Sequence, residues 1–268
     1  MEKVTIVKFW SGNRSEARQV YEREVLNTIM KATEPDWGAW QIEESLDDYP
    51  GDEESMAFAE KGQDLLVTVA GNQKFRKDEV IMIPHPITKN LLGYRVLIIR
   101  EEDAELFGQM SNASDLKKLR HGIPLTWCDA EIFRHNQYNV LEEGSFDDIF
   151  ERLQSGRVDY IAFGANEVLG VYNSMASKYK GLIIEKIILL YYQFPLVFYV
   201  NPQVPRLAKR IEDGFQKISS TGKLNSIFDH HYGNIVEQLN LNNRVLFTLD
   251  NPLIPDEFRH LKPDLENL

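Results

Sequence analysis

The residues of this sequence best suited to chemistry stand together at Cys128-Asp129, where an apolar run gives way to a helical pattern. A thiol at a helix start is activated by the dipole. A thiol nucleophile also needs a base, and no histidine carries a sequence signature for that role. Cys128 therefore reads as a small packed residue. The six histidines, His85, His121, His135, His230, His231 and His260, are scattered. His230 and His231 are neighbours, so on a helix they diverge by about 100°, whereas a metal needs convergent ligands. The acidic pairs Asp47-Asp48 and Glu142-Glu143 could serve acid–base work, but their surroundings are polar and read as solvated. No GxGxxG follows a strand pattern, and neither GxxxxGK[ST] nor GxSxG occurs. No catalytic centre, cofactor or metal is implied.

The elements that would position these residues alternate. Apolar β-rich runs at 4–10, 64–70, 80–83, 91–99, 123–127 and 158–163 read as strands, and 182–200 reads as two more. Helical spacing marks about 15–32, with Ala17, Val20, Tyr21, Val25 and Ile29 on one face. Further helices are expected at 129–136 with Asp129 as N-cap, from Ser145 with a capping-box partner at Asp148, and at 166–175, 205–219 and 223–232. Residues 245–249 could add a last strand. Alternation of this kind predicts an α/β fold with mainly parallel sheets.

Composition narrows the function classes. The chain has 268 residues, with 41 acidic and 30 basic side chains and a formal charge of −11. It can bury a full core without staples, and 43% hydrophobic content excludes a disordered chain. The acidic balance and the lack of a basic run argue against nucleic acid and against a basic membrane-surface helix. One cysteine permits no internal disulfide and fixes no redox compartment. The opening MEKVTIVKFW has no signal-peptide pattern. The apolar stretch 181–200 is broken by Glu185, Lys186, Gln193 and Pro195, so it is not a membrane span.

From Asp64 to Gly233 a set of ordered motifs accumulates. Asp64-Leu-Leu-Val is followed by Arg76, and then by the strand 93–99. Ser114-Asp-Leu-Lys-Lys-Leu comes next. After it Phe146 to Leu153 leads into Gly156-Arg157-Val158-Asp159-Tyr160. Phe198-Tyr-Val-Asn, Gly214 and Gly222–Gly233 (GKLNSIFDHHYG) close the set. Each motif is weak alone; in order, they resemble the type II periplasmic solute-binding proteins of the amino-acid-binding (family 3) kind, the substrate-binding components of ABC transporters. The resemblance implies an α/β type II periplasmic-binding-protein fold with two lobes and two hinge crossings. Lobe one would hold residues 1–95 and 201–268, and lobe two residues 96–200. It also implies a monomer that closes on a ligand by population shift, a membrane permease or sensory partner, a periplasmic location and a cleaved signal peptide. Ligand would lie in an interlobe cleft.

Carried over residue by residue, Arg76 stands where the family grips a ligand carboxylate, a task that suits the guanidinium fork. The family's "GT" at a helix start becomes Thr126-Trp127-Cys128-Asp129, where Asp129 brings a negative charge. The family's amino-group aspartate falls at Gly164, with Asn166 and Glu167 near enough to substitute. Trp10 and Trp127 end strand patterns, where open α/β sheets gather ligands, and two indoles could sandwich a planar or cationic group. The expected contacts are Trp10, Arg76, Trp127, Asp129, Asn166 and Glu167. The expected function is non-enzymatic capture of a small polar ligand, an amino acid or a relative, for import. The alternatives are a ligand-sensing module that passes closure to a signalling partner, and a lyase-like enzyme using Glu167 or Asp129.

Overall fold

The computed structural model describes residues 4–268, so the first three residues of MEKVTIVKFW lie outside it. In chain order the main elements are β1 (Thr5–Trp10), α1 (Glu16–Trp37), β2 (Trp40–Ser45), β3 (Leu65–Val69), β4 (Ile81–Met82), β5 (Tyr94–Arg100), α2 (Ala104–Gly108), α3 (Ala113–Leu116), β6 (Arg120–Ile123) and α4 (Asp129–His135). There follow β7 (Asn139–Glu142), α5 (Ile149–Gln154), β8 (Tyr160–Gly164), α6 (Val168–Ser174), β9 (Leu182–Ile184), β10 (Ile188–Tyr191), β11 (Leu196–Val200), α7 (Pro205–Ser220), α8 (Lys223–Tyr232), α9 (Ile235–Gln238) and β12 (Val245–Thr248).

The chain forms two compact units and passes between them three times: unit 1 holds residues 4–89 and 195–233, and unit 2 holds 90–194 and 234–268, where two passages were expected. Unit 1 carries a five-stranded sheet in the order β2-β1-β3-β11-β4. Its central strands β3 and β11 are buried along their whole length. That burial explains why Leu-Leu-Val-Thr-Val and Leu-Val-Phe-Tyr-Val read as unbroken apolar runs. Helices α1 and α7 pack closely, and a Cβ at Gly214 would sit 2.7 Å from Ile29 Cγ2 and 2.9 Å from Thr33 Cγ2. Buried Arg210 donates to the carbonyls of Met30 and Gly38 and to Thr33 Oγ1, which serves the carbonyl end of α1.

Unit 2 carries a seven-stranded sheet in the order β12-β10-β5-β8-β6-β7, with β9 also paired to β5. Strands β8, β6 and β7 are parallel neighbours, while β5 runs antiparallel to β8 with Arg95 opposite Gly164. The amino end of β5 therefore lies beside the carboxyl end of β8.

Four further expectations need correction. Both sheets are mixed, because β4, β5, β9, β10 and β11 make antiparallel pairs. Helix α1 runs past residue 32 to Trp37 with Pro35 inside its last turn, where a missing N–H costs least for the turns that follow. The strand expected at 123–127 is β6 at 120–123: Pro124 cannot donate to a ladder, and Thr126 takes φ +69°. The segment after Gly233, expected on lobe one, belongs to unit 2. There β12 pairs with β10, and Arg244 donates to the carbonyls of Leu239, Glu185 and Ile188. Glu185 in turn accepts the N–H groups of Ile187 and Ile188 at 2.6 and 2.7 Å.

Candidate ligand-binding site

In unit 2 a small pocket opens at the carboxyl ends of β6 and β8. Its walls include His121, Trp127, Asp129, Ile161 and Phe163, and it offers about 10 Å³, room for one water-sized group. The loop from Pro124 to Cys128 shapes it. Thr126 holds the left-handed region, unusual for a β-branched residue, with its N–H on Glu142 Oε1 at 3.0 Å. Trp127 is half-buried, stacked near Phe146 and edge-on to Phe163.

Asp129 was expected as an N-cap, but it is the first residue of α4 and its side chain turns inward. Oδ2 accepts from Arg95 Nη2 at 2.5 Å and from the Tyr192 hydroxyl at 2.9 Å. Arg95 also donates to the carbonyls of Leu92 and Ala162, and its Nε is buried without a partner. Burial alone would pull the Arg95 guanidinium below its ordinary value, but Asp129, with smaller help from Tyr192 and Glu167, more than offsets this and raises it. Burial, chiefly, pushes the Tyr192 phenol well above its usual range, so it stays a neutral donor. His121 is buried, stacked on Tyr160 at 4.6 Å, and driven well below 6.5 by burial and then by Arg95, so its ring is neutral.

Asn166, two residues beyond the end of β8, is 6% exposed, and both amide atoms are buried with no hydrogen-bond partner. Unsatisfied amides are costly and call for an explanation. Glu167 follows as the N-cap residue of α6, half-buried.

Unit 1 treats its expected contacts differently. Trp10 is 1% exposed; its indole donates to the Asp47 carbonyl at 2.8 Å, stacks on Tyr49 at 4.5 Å and lies under the Arg14 guanidinium. Arg76 is exposed and makes two hydrogen bonds to Asp78. A buried carboxylate that the sequence did not single out, Glu54, pairs with Lys74 at 3.0 Å and accepts from Asn13. Burial acts to raise its pKa, but Arg14, Lys74 and Asn13 hold it below the ordinary value.

Trp127 and Asp129 thus meet in one pocket of unit 2. The sequence reading missed Arg95, Tyr192 and His121 there. Arg95 carried a signal: a charge inside Tyr-Arg-Val-Leu-Ile-Ile must find a partner to be buried. Among the described residues no group of three or more His, Cys, Asp or Glu could hold a metal, and no helix is long and apolar enough to cross a membrane.

No protein-family model matches the chain, and no curated protein matches it. Solved structures do. An ancestral arginine-binding protein bound to glutamine is similar with a TM-score of 0.62 at 16% identity, over 87% of this chain and 100% of that one. A histidine kinase sensor domain with similarity to periplasmic binding proteins gives 0.63 at 13% identity, over 87% and 98%. A periplasmic His/Glu/Gln/Arg/opine family-binding protein from Silicibacter pomeroyi, in complex with lysine, gives 0.60 at 10% identity, over 85% and 97%. At these identities the likeness is one of fold, and the chain has the α/β fold of the periplasmic binding proteins.

Proposed function

We propose that the protein is a non-enzymatic, periplasmic solute-binding protein that captures a small polar ligand of the amino-acid class or its relatives for ABC-type import. The observation that carries this reading is the pocket at the carboxyl ends of β6 and β8, lined by Trp127 and Asp129, in a fold whose solved neighbours hold arginine, glutamine or lysine. Asn166 and Glu167 are proposed as further contacts, since the buried amide of Asn166 has donors and acceptors to spare. Trp10 serves as a packed wall of unit 1, and Arg76, exposed and bonded to Asp78 through Nε and Nη2, keeps Nη1 for a ligand.

A second reading, a sensing module that signals to a partner protein, is favoured by the likeness to the histidine kinase sensor domain. Both readings require solute binding. A thermal-shift screen of refolded protein against amino acids, amines, organic acids and short peptides tests it. Ligand at a hundredfold excess over Kd adds about 2.7 kcal/mol, a shift of several degrees. A flat response across every class would overturn both readings.

A further inference from the structure

Among the described residues, the only charged side chain lining the pocket of unit 2 is Asp129, and the arginine that pairs with it is not part of the lining. Arg95 is 2% exposed, and its guanidinium is held by Asp129 and by the carbonyl of Ala162, another residue of the pocket wall. Both hydrogen bonds to Asp129 end on Oδ2, and neither uses Oδ1. The remaining walls are apolar, aromatic or, at His121, neutral. A guanidinium is the group best made to hold a carboxylate, and here a carboxylate of the chain itself already holds that place. A second carboxylate in the pocket would face Asp129, a like charge in a poorly solvated setting.

Resting on the solute-binding reading above, we propose that Asp129 decides which end of a ligand this pocket accepts. It fills the carboxylate place beside Arg95 itself, so the pocket takes an amine or another hydrogen-bond-donating head and turns a ligand carboxylate away. The volume suits this, since an ammonium head is about the size of one water. Trp127 supplies an aromatic wall beside it, a good neighbour for a cation.

The test compares the wild type with Asp129→Asn and Asp129→Ala. Putrescine and agmatine serve as amine probes, and succinate as a carboxylate probe. The wild type is expected to bind an amine probe and to ignore succinate. Asp129→Asn keeps the shape, loses a charge-assisted bond, and should bind the amine about tenfold or more weakly. Asp129→Ala opens the place beside Arg95, so excess acetate should raise its Tm above that in equal chloride, while the wild type shows no such difference. Should Asp129→Ala fail to fold in chloride, its folding in acetate is the same readout.

Succinate binding to the wild type as well as the amines do would overturn the inference. So would an amine affinity unchanged in Asp129→Asn, or an Asp129→Ala protein indifferent to acetate. If acetate stabilises Asp129→Ala but no solute binds the wild type, the internal carboxylate place is supported and only the solute-binding reading fails.

Discussion

At the scale of single residues, His121 shows how burial sets charge in unit 2. Its folded pKa is driven well below 6.5, by burial first and by Arg95 second, while the unfolded chain titrates near the ordinary value of about 6.5. A depressed folded pKa contributes stability that is fully present above the unfolded value and is lost as pH falls below it. Below about pH 6.5 the unfolded state takes up a proton that the folded state refuses, so the loss runs at up to about 1.4 kcal/mol per pH unit. Denaturant unfolding of wild type and His121→Gln between about pH 7.5 and 5 should therefore give curves that converge as pH falls. Parallel curves would show that His121 does not carry this linkage. Trp127 and Asp129, named from the sequence because both sit just past an apolar run, line one small pocket. The sequence could not show that Asp129 is spent on Arg95 and Tyr192, which lie 34 and 63 positions away and meet it only through the sheet.

At the scale of elements, the buried strands β3 and β11 were legible because they are apolar along nearly their whole length. Strand β7 was not, since Asn139-Val-Leu-Glu has polar ends and only partial burial. The misplaced edge of β6 has a definite cause. Ile123-Pro-Leu-Thr-Trp has β-forming composition, but its proline forbids a central ladder, and Leu125 is 54% exposed. Among the helices, the contact of α1 with α7 depends on the missing side chain at Gly214. Gly214→Ala would gain up to about 1 kcal/mol of helix propensity, yet its methyl would press on Ile29 and Thr33. Overpacking of this kind costs about 1–3 kcal/mol, so a net loss of roughly 1–2 kcal/mol is expected in the urea midpoint at unchanged slope. A variant at least as stable as wild type would mean that α1 and α7 separate freely.

At the scale of the whole molecule, an α/β fold of the periplasmic-binding-protein kind was readable from the order of weak motifs, and the solved structures share that fold, while the chain passes between its two units three times and not the two expected. The path of the last 35 residues was not readable, because nothing local in Val245–Thr248 names β10 as its partner. Arg244, buried among carbonyls of unit 2, is what commits that segment. The proposed capture of solute at the pocket of unit 2 can be tested at the pocket's own wall. The chain has four tryptophans, so the indole N–H signals of a 15N-labelled sample form a small, assignable set. Titration with the solute that scores best in the thermal-shift screen should move the Trp127 signal saturably, while Trp10, hydrogen-bonded to Asp47, keeps its partner and moves less. A bound solute that leaves Trp127 unmoved, or no solute that moves any indole, would contradict the assignment of this pocket.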